Sequence, residues 1–159
     1  MSDLPPALAE LAEDFHAVSE PDRLQLLLEL SRELPELPER YAGKLDQMER
    51  VDECQSPLFL AVEVAEEPGV ATQEQRVSLF FSAPREAPTT RGFAGILHEG
   101  LDGLTVAEVL ATADQAPMEF GLAEVVSPLR MRGMVAMLSR IKRQVRLRTS
   151  PEAGEALRG

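Results

Sequence analysis

Apolar positions recur at helical spacing towards both ends of the chain and alternate in its middle. Leu8, Leu11, Phe15 and Val18 share one face of a helix predicted over 7–18. Ser19-Glu20-Pro21-Asp22 opens a second helix, with Ser19 as its cap, Pro21 in the first turn and Asp22 at the capping-box position. Leu24, Leu27, Leu28 and Leu34 line one side of it, and Leu26 and Leu30 widen the stripe, so this helix is expected to be heavily buried. Pro35 and Pro38 end it, because proline breaks the hydrogen-bond ladder. Residues 41–50 are polar and weakly patterned, which reads as a connector. Leu58, Leu60, Val62 and Val64 then alternate with Phe59, Ala61 and Glu63, the period of a half-buried strand. Glu66-Glu67-Pro68-Gly69 is a turn, and Val77-Ser78-Leu79-Phe80-Phe81 is the returning strand of an antiparallel hairpin. Two strands alone are marginal in water, so a third over Met48–Asp52 is expected to extend the sheet.

From residue 89 the helical period returns. Phe93, Ile96, Leu97 and Leu101 form a third helix stopped by Gly100 and Gly103. Thr105-Val106-Ala107-Glu108 is a capping box for a short fourth, and a further helical turn is expected over 115–121. Ser127 caps the final helix with Pro128 at its first position, and Met134, Leu138, Ile141 and Val145 repeat along one face. Helices, then strands, then helices predict an α+β fold: a small antiparallel β-sheet packed against several α-helices.

Composition narrows the class. A chain of 159 residues, 44% hydrophobic and 27% charged, is expected to form one domain over 1–159, with 150–159 as a flexible C-terminal tail. Its apolar runs are too short to span a bilayer, its N-terminus has neither a basic nor an apolar leader, and a single free thiol suits a reducing compartment. A cytoplasmic location is expected. The net charge of −11 works against binding nucleic acid or an anionic membrane. Charge is uneven, however: residues 1–127 sum to −17 and residues 128–159 to +6. That basic stretch is either a solvated helix face and tail or a docking face for an acidic partner.

The candidate chemistry lies in Val51-Asp52-Glu53-Cys54-Gln55-Ser56-Pro57-Leu58, which carries the only cysteine. A lone thiol can close no internal disulfide, and with only His16 and His98, far apart, it makes a poor zinc set. It is either a buried filler or a reactive sulfur, and its polar neighbours place it in a loop near water, which favours the second. An ordinary thiol has a pKa near ~8.5, and Asp52 and Glu53 hinder its ionisation. Help would come from loop N–H groups, from Arg50 or from another basic residue. Gln55 and Ser56 suit a turn. No Gly-x-Gly-x-x-Gly or Walker sequence follows a strand, and the basic residues of the last helix lack interleaved aromatics.

Cys54-Gln55-Ser56 before an apolar strand resembles the Gly-Cys-Gln-Ser signature of the SufE family, the sulfur acceptors that serve cysteine desulfurases in iron–sulfur cluster assembly. Three more segments match in order: Leu34-Pro35-Glu36-Leu37, Thr90-Arg91-Gly92-Phe93 and Ser127-Pro128-Leu129-Arg130-Met131-Arg132-Gly133. Glu53 stands where the family usually has glycine, and Phe59 where it often has tryptophan. The resemblance implies a persulfide carrier and desulfurase activator rather than a stand-alone enzyme, with Cys54 as acceptor and Arg130 as a stabiliser of the thiolate or persulfide. Asp52, Glu53, Gln55 and Ser56 would form the partner-facing surface. The partners implied are a SufS-like cysteine desulfurase, which itself holds pyridoxal phosphate, and an iron–sulfur scaffold protein; no cofactor or metal is expected on this chain. The rivals are a non-catalytic interaction module of the same fold and a single-cysteine redox sensor.

Overall fold

A computed structural model describes residues 4–150. Helix α1 spans Pro6–His16 and α2 Glu20–Glu33; β1 (Glu49–Arg50), β2 (Phe59–Val64) and β3 (Val77–Ser82) follow, then α3 (Pro88–Leu101), α4 (Val106–Ala111) and α5 (Pro128–Thr149). Short 3₁₀ turns punctuate the connections, including Ala116–Phe120 in the predicted 115–121 turn. The sheet is antiparallel in the order β1-β2-β3, with Leu60 opposite Phe81 and Val62 opposite Leu79 in the hairpin and Glu49 opposite Leu60 at the edge. The α+β architecture read from periodicity is the one observed. The expected third strand is present but only two residues long. The tail expected from residue 150 lies, from 151 on, outside the described residues.

The core lies between the sheet and α5. Val77, Leu79 and Phe81 point inwards from alternate positions of β3, and Met134, Met137, Leu138, Ile141 and Val145 meet the sheet and α3 from α5. On the opposite face of the sheet Tyr41, Met48 and Ala61 form a second, smaller cluster with Leu37, Phe59 and Phe80 packed against it. The stretch 41–50, too polar to show a pattern, thus supplies the cover for the sheet's outer face. Arg40 strengthens that cover: it pairs with Glu63 at 2.7 Å and lies 5.0 Å from the Phe80 ring centroid.

Helices α2 and α3 approach at backbone distance. A Cβ on Gly92 would stand 2.7 Å from the Leu27 carbonyl oxygen, and one on Gly95 2.6 Å from that of Leu30. This contact chooses the buried face of α2. Leu27, Leu30, Ser31 and Leu34 are buried, whereas Leu24, expected on the inner stripe, is exposed. Gly100, expected to stop α3, instead lies inside it and makes room for Leu8 of α1; the stop comes at Gly103, in the left-handed region at φ 85°. Thr105 and Glu108 form both bonds of the capping box, and Ser127 Oγ accepts the Arg130 N–H at 3.2 Å. Ser19 occupies the N-cap of α2 in extended conformation but makes no side-chain cap bond.

Candidate functional site

Residues 51–58 join the edge strand β1 to the central strand β2, so Cys54 sits where one strand has ended and the next has yet to begin. The loop is closed at its base by the Val51 N–H donating to the Leu58 carbonyl at 2.9 Å, and turned by the Cys54 N–H donating to Val51 at 3.1 Å. Val51 and Leu58 are fully buried anchors. Between them Asp52, Glu53, Gln55 and Pro57 are exposed and Ser56 is half-buried, while Cys54 turns inwards and is 9% exposed. Glu53 does not adopt positive φ, so the loop does not use the freedom that a glycine would provide at this position.

The thiol rests on α5. Cys54 Sγ donates to the Gly133 carbonyl at 3.7 Å, a weak contact across 79 residues of sequence. A Cβ on Gly133 would stand 3.1 Å from the sulfur, so the glycine lets the helix backbone come this close. Two of the segments that carry the family resemblance, the Cys-Gln-Ser loop and the Ser-Pro-x-Arg-x-x-Gly helix start, therefore meet at the sulfur.

The charged residues around the loop form a cluster that the sequence did not reveal. Arg140 Nη2 donates to Glu53 at 2.5 Å, while its Nη1 donates to Glu49 and to the Arg50 carbonyl, both at 2.9 Å. Glu49 also accepts from Arg143 and, at 2.6 Å, from Gln144 Nε2. Gln144 Oε1 takes the Val62 N–H at 3.2 Å, beyond the point where the short β1 can pair with β2. Burial works against ionisation of Glu49, but the bonds from Gln144 and Arg140 and the charge of Arg143 outweigh it and hold the carboxyl below its ordinary range. Burial, and then the charge of Glu53, push the Cys54 thiol up to about 11, against a smaller downward pull from Arg140.

Among the described residues, the α5 cation bonded to the Cys54 loop is Arg140, through Glu53. Arg130 lies exposed in the first turn of α5, where its backbone N–H meets the Ser127 cap. The signal that could have located Arg140 is its spacing: it falls seven residues after Gly133, two turns along the same helix face. Two of the residues expected on the partner-facing surface are exposed in the loop. Asp52 pairs with Arg50 at 3.7 Å on the surface, and Gln55 is solvent-facing. His16 meets the Glu119 carbonyl and His98 packs edge-on to Phe81. On the Glu53 side an open groove of about 590 Å³ runs along α5, lined by Met118, Met131, Arg132, Val135 and Ser139. Met131 is buried beneath it, and Met118 is 42% exposed at its rim.

With the site in view, comparison with known proteins defines the class. Residues 9–145 match the SufE family, described as an Fe-S metabolism associated domain. This chain belongs to the SufE family, and with it to iron–sulfur metabolism. A SufE-like protein of Mycobacterium tuberculosis strain H37Rv is 53% identical over 143 residues, covering 90% of this chain and 94% of that relative. The chloroplastic/mitochondrial SufE-like protein 1 of Arabidopsis thaliana is 26% identical over 91% of this chain but only 36% of its own length. The solution structure of a hypothetical protein from Thermus thermophilus superimposes with a TM-score of 0.72 at 39% identity, covering 90% of this chain and 96% of that one. Among the described residues no helix is long and apolar enough to cross a membrane.

Proposed function

We propose that this chain accepts a persulfide sulfur on Cys54 from a SufS-like cysteine desulfurase, relieves that enzyme of its product and passes the sulfur to an iron–sulfur scaffold protein. The observation that carries the reading is the meeting of Cys54 with Gly133, which joins the family's thiol loop to its last helix motif. The chemistry needs one thiol and no change of oxidation state. The Cys54 thiolate attacks the terminal sulfur of the donor's Cys–S–SH; the donor's S–S bond breaks, its own sulfur leaves as thiolate and takes a proton, and Cys54–S–SH forms. Pyridoxal phosphate would do its work in the donor, and the proposed role of this chain calls for no cofactor or metal of its own. It is a stoichiometric carrier and activator working in the cytoplasm.

At rest the thiol is sheltered and protonated. A pKa of about 11 leaves on the order of one thiolate in ten thousand at pH 7. Transfer therefore begins with the loop swinging out about Val51 and Leu58 so that the sulfur regains water and an ordinary pKa. The apolar groove beside Glu53 gives a donor segment a surface to lie on as it approaches. The same shelter weighs against a redox sensor, which relies on an acidic, accessible thiolate.

The test is mass spectrometry of the full chain after incubation with a SufS-like desulfurase and cysteine. Sulfur mass added to the native chain and absent from Cys54→Ser is expected. Sulfur retained by the variant, or none gained by the native chain, removes the carrier reading and leaves an interaction module; an adduct formed with peroxide alone favours the sensor.

A further inference from the structure

Resting on that reading of Cys54, we propose that Arg140 is a positioning residue for the thiol: its pairing with Glu53 latches the 51–58 loop shut against α5, and release of that pair is the step that exposes the sulfur. The latch follows from how little else holds the loop. Its internal hydrogen bonds, Val51 to Leu58 and Cys54 to Val51, move with it and do not tie it to the helix. Asp52 pairs only with Arg50 at the loop's own entrance, and the sulfur's contact with Gly133 is long and weak. Among the described contacts, Glu53 to Arg140 at 2.5 Å is the strong bond between the loop's side chains and α5.

The two halves of the latch are built unequally. The Arg140 side chain is 22% exposed and remains tied to Glu49 and to the Arg50 carbonyl when Glu53 leaves, and Glu49 is itself secured by Arg143 and Gln144. Glu53 has no second partner among the described contacts, and its side chain is 46% exposed. The guanidinium thus stays as a fixed post and the carboxylate is the movable part. Opening returns the thiol to water and so lifts the burial that does most to oppose its ionisation, so exposure and activation happen together.

The experiment uses the full chain with iodoacetamide, a small neutral reagent that needs no desulfurase; with one cysteine in the sequence, intact mass reads Cys54, and Cys54→Ser gives the background. Glu53→Gln and Arg140→Met are each expected to raise the alkylation rate roughly two- to fivefold, as suits a partly exposed ion pair. The double variant is expected to be no faster than the faster single, because both remove the same bond. Arg140→Lys, which keeps the charge, is expected to fall between native and Arg140→Met. Raising salt to about 1 M is expected to speed the native chain by a similar factor and leave Arg140→Met unchanged, since screening weakens the pair. Unchanged singles, effects that multiply in the double, or a salt response that survives in Arg140→Met overturn the latch. Absence of sulfur transfer from a desulfurase overturns the carrier reading alone, because it leaves these rates as they are.

Discussion

At the scale of single residues, the decisive fact is that Cys54 is a buried thiol in a polar loop. Its raised pKa fixes the direction of two pH effects. The folded state holds the proton more tightly than the unfolded state, so this group contributes stability below its unfolded pKa of ~8.5 and loses it as pH climbs towards about 11. Alkylation of the folded chain is expected to keep rising about tenfold per pH unit above pH 9, while the urea-unfolded chain levels off near its ordinary thiol pKa. A folded-state plateau near pH 8.5 would show an exposed, ordinary thiol. Gly133 is the second residue whose identity is set by contact. Gly133→Ala gains about 1 kcal/mol of helix propensity but places a methyl group 3.1 Å from the sulfur. Global stability is therefore expected to change little, while Cys54 alkylation accelerates. Gly133→Leu cannot be accommodated by so small a shift and is expected to cost about 2 kcal/mol, read by urea denaturation.

At the scale of elements, the edge strand β1, which pairs with β2 over only two residues, is tied to α5 by Glu49. Glu49→Gln removes a charge shared among Arg140, Arg143 and Gln144 and is expected to cost about 1 kcal/mol at pH 7. Glu49 is a depressed carboxylate, so its contribution is present above its unfolded pKa and is lost as pH falls through the lower folded value. The difference between native and variant urea midpoints is expected to shrink below about pH 4. A difference that persists undiminished at lower pH would show that the loss is one of packing. The α2–α3 pair makes a sharper demand, because Gly95 faces backbone that cannot rotate away. Gly95→Ala is expected to destabilise by about 2 kcal/mol or more despite its better helix propensity, measured by thermal or urea unfolding.

At the scale of the whole molecule, a continuous core from Leu8 of α1 to Val145 of α5 carries a short mobile device at its edge. Opening of the 51–58 loop takes Cys54 out of that core while Val51 and Leu58 stay as its anchors, so it exposes little apolar surface. The Cys54 alkylation rate is therefore expected to be flat in urea until global unfolding begins, because denaturant sensitivity scales with surface exposed. A rate that climbs with urea from the lowest concentrations would mean that the thiol is reached only by unfolding α5 from the sheet. The basic character of residues 128–159 also acquires a structural meaning. Arg140 and Arg143 are turned against Glu49 and Glu53, and Lys142 is buried on Asp114 and the Thr112 carbonyl, so a good part of that charge serves internal pairing.

What the sequence determined alone is the order and kind of the elements and the place of the thiol, since side-chain periodicity, capping residues and turn chemistry are local properties. The capping box at Thr105, the hairpin, the short third strand and the loop position of Cys54 were all legible in that way. The tertiary structure decided which side of each element faces inwards and what meets the sulfur. Leu24 lost its place in the core to the close crossing at Gly92 and Gly95, and Tyr41 and Met48 gained one because the sheet's outer face needed cover. Arg140 rather than Arg130 reached the loop, because helix phase and the approach of α5 at Gly133 bring together residues that are far apart in sequence. Local pattern cannot rank the basic residues of α5 by their distance to a thiol; only packing assigns that distance.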